Sequence, residues 1–246
     1  MLGLPDAIEV LLFDLDGVLT QTAKVHAAAW KAMFDAYLEE RAAATGTPFV
    51  PFDAVADYDD YVDGKPRYDG VSSFLEARGI SLPEGCADDP PDRDTVKGLG
   101  NRKNELVLKL IREQGVEPYA GSVRYVRAAR QAGRRCAVVS SSTNCHEVLA
   151  AAAIEDLFDA VIDGVVADRE HLHGKPAPDT FLAGARALGA EPGHAVVFED
   201  ALAGVAAGRA GKFGYVVGVD RVGQRDELLA HGADVVVDDL ATLLAS

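Results

Sequence analysis

The sequence predicts an α/β fold: a doubly wound parallel sheet interrupted once by an inserted α-helical cap domain. Two observations lead there. Short, predominantly apolar runs recur at Val10–Phe13, Ala137–Val139, Ala160–Ile162, Ala195–Phe198, Tyr215–Val217 and Asp234–Val237. Runs of that length without alternation read as strands buried on both faces. From Gly121 onward they alternate with helical patterns, which implies parallel crossovers.

The elements follow in chain order. Val10–Phe13 is a strand that runs into Asp14-Leu15-Asp16-Gly17. From Thr22 the period changes, and Val25, Ala29, Met33 and Ala36 mark an amphipathic helix. Residues 42–69 hold Gly46, Pro48, Pro51, Gly64 and Pro66 with a run of aspartates, so no long helix is expected there. The acidic run reads as a solvated face. Val71, Phe74 and Leu75 give a shorter helix that stops near Gly79. Residues 83–94 form a loop, and Leu99, Leu106, Val107, Leu110 and Ile111 mark a second long helix. Ser122 is expected to cap a helix running to about Ala132. Further helices are expected over 144–153, from Pro178 to near Gly189, over 201–210, and between the last two strands. The domains are therefore residues 1–21 with 113–246, a discontinuous α/β core, and residues 22–112, a helical cap. Ligands of open α/β sheets bind at the carboxyl ends of the strands. The insertion leaves from such an end, which suits a lid.

Composition narrows the function. The 246 residues allow one core plus a smaller insertion. Hydrophobic residues at 48% and charged residues at 26% are ordinary for a globular chain. The net charge of −15, from 24 basic and 39 acidic side chains, argues against nucleic acid and anionic membranes as partners. It leaves room for a small anionic substrate where a few cations converge. No apolar run approaches the ~18–20 residues of a membrane span, and the N-terminus lacks a secretory pattern. The three cysteines, Cys86, Cys136 and Cys145, form no C-x-x-C pair. The expectation is a cytoplasmic protein without structural zinc and with no evident obligate protein partner.

The strand ends carry the chemistry. The first delivers Asp14 and Asp16, the second Ser140 to Asn144, and the fourth Glu199-Asp200, while Lys175 follows the third. Carboxylates can hold Mg²⁺, which prefers oxygen ligands. Hydroxyls and backbone N–H groups can cradle phosphate oxygens. A lysine can neutralise a transferring phosphoryl group, and one carboxylate can act as nucleophile. Taken singly, each motif also has a plain reading: a turn, a helix cap, a surface lysine, a pair of capping acids. Their order along one sheet edge favours phosphoryl transfer.

Asp14-Leu15-Asp16-Gly17-Val18-Leu19-Thr20 resembles the first motif of the haloacid dehalogenase superfamily, and Ser140, Lys175 and Glu199-Asp200 resemble the other three. That likeness implies a Rossmann-like core with a helical cap. It implies Asp14 as nucleophile, Asp16 as general acid and base, and Ser140 and Lys175 as phosphate-binding groups, to which Ser140-Ser141-x-x-Asn144, a likeness to the β-phosphoglucomutase-like subfamily, adds Ser141 and Asn144. It implies Mg²⁺ as cofactor, held by Asp14, the Asp16 carbonyl and Asp200, with Glu199 in support. In the insertion, His26-x-x-x-Trp30-Lys31, Arg67 and Arg102-Lys103-Asn104 resemble the β-phosphoglucomutase-like subfamily. His26 and Trp30, four apart, share a helix face.

The subfamily likeness implies a small phosphorylated sugar as substrate, met by His26, Trp30, Arg67 and Lys103. Arg67 would hold the phosphate that is not transferred, a task that suits a planar guanidinium. The expected reaction interconverts β-glucose 1-phosphate and glucose 6-phosphate through glucose 1,6-bisphosphate. Two alternatives remain. One is a phosphatase of small phosphorylated metabolites, which needs the same core with water as acceptor. The other is a non-catalytic phospho-acceptor switch, for which the cap is superfluous. Gln21 stands where relatives more often carry an acid, and the loops near Pro48 and Pro83–Pro91 are longer than the compact form of the family.

Overall fold

A computed structural model describes residues 2–245. The chain divides into two compact units: Met1–Thr22 with Val116–Ser246, and Ala23–Gly115.

The first unit is a six-stranded parallel sheet. In chain order its elements are β1 (Val10–Phe13), α4 (Ala120–Gln131), β2 (Arg135–Val139), α5 (Cys145–Ala151), β3 (Ala160–Ile162), α6 (Gly164–Glu170), α7 (Asp179–Ala187), β4 (Ala195–Glu199), α8 (Leu202–Ala210), β5 (Tyr215–Val219), α9 (Arg225–His231) and β6 (Val235–Val237). Helices α1 to α3 belong to the second unit. The strand order is β3-β2-β1-β4-β5-β6. Val10 of β1 pairs with Arg135 on one side and Ala195 on the other, so the first strand in the chain is central in the sheet.

All four β1 residues are fully buried because both faces are covered. Val10 and Leu12 join one apolar cluster with Ala137, Val139, Phe181 and Val205. Leu11 and Phe13 point the other way. There Phe13 stacks on its sheet neighbour Phe198 at 4.5 Å, and Tyr125 of α4 meets both rings edge-on.

The second unit comprises α1 (Ala23–Thr45), a single π-helical turn at Tyr58–Val62, α2 (Arg67–Ala77) and α3 (Val96–Gln114). Its core is aromatic: Phe34 lies 4.1 Å from Phe74, 5.2 Å from Phe52 and 5.3 Å from Trp30. The segment after α1 is irregular but pinned. Asp35 accepts the Phe52 N–H at 2.8 Å, and Lys31 donates to the Phe52 carbonyl at 3.0 Å. The Thr95 hydroxyl caps α3 by accepting the Gly98 N–H at 2.9 Å.

Two expectations change. Ser122 is the third residue of α4 rather than its cap; its hydroxyl is buried and donates to the Val18 carbonyl at 2.7 Å. Helix α6 was not expected from its Gly-Val-Val start, and it forms because Asp163 accepts the Val166 N–H at 2.8 Å. Among the described residues no helix is long and apolar enough to cross a membrane.

Candidate active site

The carboxylates and the Ser140–Asn144 turn emerge where buried strands stop, and Lys175 comes from the segment between α6 and α7. Asp14 follows β1, and its N–H continues the ladder by donating to the Phe198 carbonyl at 3.0 Å. Glu199 is the last residue of β4, and Asp200 follows it. Asp14, Glu199 and Asp200 each place a carboxylate oxygen within 4.8 Å of the others. This all-oxygen set suits a hard divalent cation.

Lys175 stands among them. Its ammonium donates to Asp14 Oδ1 at 2.5 Å, to Glu199 Oε1 at 2.6 Å and to the Val139 carbonyl at 3.3 Å. The Lys175 side chain is only 1% exposed. The Lys175–Pro176 peptide bond is cis. Burial pushes the Asp14 carboxyl well above the usual carboxylate range; Lys175 pulls it down, while Glu199 and Asp16 raise it. Burial draws the Lys175 ammonium down, but Asp14 and Glu199 outweigh that and hold it above its ordinary value. The lysine is therefore a fixed positive charge at the nucleophile.

Both Glu199 oxygens are engaged, Oε1 by Lys175 and Oε2 by the Ala201 N–H at 2.7 Å. Gly204 of α8 leaves that side chain its room, since a Cβ there would overlap the carboxylate. Gly17 adopts φ +81°, and a Cβ on it would overlap Asp200. These two glycines fit the carboxylates against the backbone.

Asp16 accepts a hydrogen bond from the Thr22 hydroxyl, which in turn meets Thr20 Oγ1 at 2.8 Å. Ser140 is buried and accepts the Ser142 N–H at 3.1 Å; Ser142 Oγ accepts the Asn144 N–H at 3.1 Å. The segment Ser140–Asn144 is thus a hydroxyl-braced turn leading into α5, with Ser141 half-buried and Asn144 buried.

The second unit holds the remaining expected residues in two groups. Lys103 is 5% exposed, lies 2.8 Å from His26 Nδ1 and sits 4.8 Å over the Trp30 ring. Trp30 is 3% exposed and stacks in the aromatic core. Its indole is therefore a floor beneath Lys103 rather than an open platform for a sugar. Arg67 belongs to the other group: it donates to the Tyr68 hydroxyl at 3.2 Å, and that hydroxyl donates to Asn101 Oδ1 at 2.9 Å.

Around the carboxylates, Thr22, Arg221 and Gln224 also touch this machinery, and the motifs of the sequence do not mark them. The Thr22 signal was available, as a threonine six residues beyond Asp16 within the same loop. The other two reach backbone carbonyls across the fold, and no local pattern marks them.

A family profile described as haloacid dehalogenase-like hydrolase matches residues 8–212. Curated proteins named beta-phosphoglucomutase from Mycobacterium bovis and Mycobacterium tuberculosis are 57% identical over 247 residues, covering 99% of this chain and 94% of theirs. A protein of the same name from Bacillus subtilis is 30% identical over 237 residues, with 96% and 92% covered. The crystal structure of beta-phosphoglucomutase from Clostridium difficile superposes with a TM-score of 0.74 at 26% identity, over 96% of this chain and 93% of that one.

Proposed function

The chain belongs to the haloacid dehalogenase-like hydrolase family, and from that premise we propose that it is a β-phosphoglucomutase. Its substrate is a small phosphorylated sugar: β-glucose 1-phosphate, converted to glucose 6-phosphate through glucose 1,6-bisphosphate. The near-full-length likeness to the mycobacterial phosphoglucomutases carries the choice of reaction. The contact of Lys175 with Asp14 supports the chemistry.

Asp14 is the nucleophile. Its carboxylate oxygen attacks phosphorus, the bond from phosphorus to the donor oxygen breaks, and an aspartyl-phosphate forms. Asp16 gives a proton to the departing oxygen and removes one from the attacking hydroxyl in the opposite direction. The Thr22 hydroxyl orients it. Lys175 and the Ser140–Asn144 turn bind the transferring phosphoryl oxygens. Mg²⁺ is the cofactor, held by Asp14, Asp200 and the Asp16 carbonyl. When bound it supplies positive charge to the phosphoryl oxygens. Glu199 supports the site by fixing Lys175, because both of its oxygens are already engaged. In the second unit, Lys103 and His26 bind the sugar, Trp30 supports Lys103, and Arg67 binds the phosphate that stays. The three free cysteines agree with work in the reducing cytoplasm.

The test is a coupled assay for glucose 6-phosphate with free phosphate followed in parallel. Mg²⁺, a trace of glucose 1,6-bisphosphate and either β- or α-glucose 1-phosphate are supplied. Rapid glucose 6-phosphate formation from the β anomer alone, with little phosphate released, is the expected result. Phosphate release without isomerisation would replace this reading with a sugar-phosphate phosphatase.

A further inference from the structure

The loop after β5 reaches both chain segments that carry the carboxylates. Arg221 Nε donates to the Gly17 carbonyl at 2.7 Å, and its Nη1 donates to the Asp238 carbonyl at 2.7 Å. The guanidinium stacks on Tyr119, 3.6 Å from the ring centre. Three residues on, Gln224 Nε2 donates to the Asp200 carbonyl at 3.0 Å. The loop is itself rigid, since Asp220 Oδ1 accepts the N–H groups of Val222, Gly223 and Gln224 at 3.2, 2.7 and 3.0 Å.

We propose that Arg221 and Gln224 are positioning residues that set the affinity of the site for its divalent cation. The inference rests on the reading that Asp14 and Asp200 hold that cation. Its physical basis is repulsion. Asp14, Glu199 and Asp200 place carboxylate oxygens within 4.8 Å of one another, and Lys175 sets one positive charge against the three, so without a divalent cation an excess of negative charge pushes their segments apart. Gly17 packs directly against Asp200 with no side chain between them. Arg221 fixes the Gly17 side of that contact, and Gln224 fixes the Asp200 side. One braced loop thus holds both halves of the carboxylate set in register before the cation arrives. Neighbours of this kind, which touch ligands rather than metal, typically govern affinity by about 10–100-fold.

The experiment compares the wild type with Arg221→Ala and Gln224→Ala in the absence of substrate. Mn²⁺ serves as a divalent probe, with binding followed by loss of the free-ion EPR signal and Mg²⁺ added as competitor. Thermal unfolding in EDTA is recorded alongside, and turnover is measured across a Mg²⁺ series. Cation binding in the variants is expected to weaken about tenfold, with an unfolding midpoint in EDTA near that of the wild type. Turnover should recover toward the wild-type value at saturating Mg²⁺, as a purely structural role would not predict. If Arg221→Ala does not fold, Gln224→Ala carries the comparison. Wild-type binding with affinity unchanged within about twofold in the folded variants overturns the positioning role alone. A wild type that binds neither ion overturns the cation reading, and this inference with it.

Discussion

The carboxylate of Asp200 occupies the space that a Cβ on Gly17 would fill. The backbone at Gly17 also lies at φ +81°, a region that side chains avoid. Gly17→Ala is therefore expected to cost about 1–3 kcal/mol of stability from strain alone. It should also displace Asp200 and cut turnover by roughly a hundredfold. Urea unfolding checks the first and turnover across a Mg²⁺ series the second, and an alanine variant of normal stability and activity contradicts the packing.

Lys175 holds two buried carboxylates at once. Lys175→Met removes the cation and leaves Asp14 and Glu199 facing each other in a dry site. The expected loss is about 3–5 kcal/mol, the cost of stranding buried charge. It is measured by denaturant unfolding in EDTA, so that no metal substitutes for the lysine. Wild-type stability in that variant would mean the three groups are better hydrated than their burial indicates.

Asp14→Asn keeps the volume and removes the nucleophile. Turnover should fall by a factor of about 10⁴ or more. Intact-mass analysis after incubation with a phosphoryl donor should show one added phosphoryl group on the wild type and none on the variant. A labelled variant would place the nucleophile elsewhere.

Arg67→Ala removes the guanidinium proposed to grip the phosphate that stays. Isomerisation of the sugar phosphate should decline about tenfold or more in kcat/KM, since a bidentate, charge-assisted contact is lost. Hydrolysis of a small aryl phosphate, which carries no second phosphate, should decline far less. Equal losses on the two substrates would remove Arg67 from that role.

The thiols give a pH-dependent prediction. Burial pushes Cys136 up to about 12 and raises Cys145 as well, while Cys86 is exposed. Only thiolates alkylate, and at pH 8 the folded chain holds almost none at the buried pair. Iodoacetamide should label Cys86 alone in native protein and all three after denaturation. The linkage has a definite sign. Above about pH 8.5 the unfolded chain loses thiol protons that the folded chain keeps, so stability falls as pH rises through that range. Rapid native labelling of Cys136 would show that its strand opens readily.

The strands were legible because parallel strands covered on both faces must be largely apolar, as β1 is throughout and β4 is up to Glu199 at its end. The catalytic carboxylates were legible for the same reason, since polar residues immediately after such runs stand out. Helix α6 was hidden because Gly164-Val165-Val166 reads against a helix, and only the Asp163 cap decides it. Ser122 misled because a serine near a helix start resembles a cap, yet a long-range bond to Val18 claims its hydroxyl. Trp30 sits on the same helix as His26, but the aromatic packing that buries it comes from Phe34, a turn along that helix, and from the unit's wider core. Arg221 and Gln224 were out of reach for another reason. They act on carbonyls up to 204 positions away, and a carbonyl is the same in every residue.

The central place of β1 also bears on how the chain is made. Val10 pairs with Arg135 and Ala195, so both neighbours of the first strand are synthesised long after it. Ala23–Gly115 is contiguous and has its own aromatic core, so it can fold while β1 still waits with four apolar residues exposed. Pairings of such sequence separation form slowly, and the intermediates that precede them carry open strand edges. A nascent chain stalled before β4 leaves one side of β1 unpaired, the kind of edge that recruits another copy. The insertion that brings cationic side chains to the protein thus also lengthens the time β1 stays unpaired during synthesis.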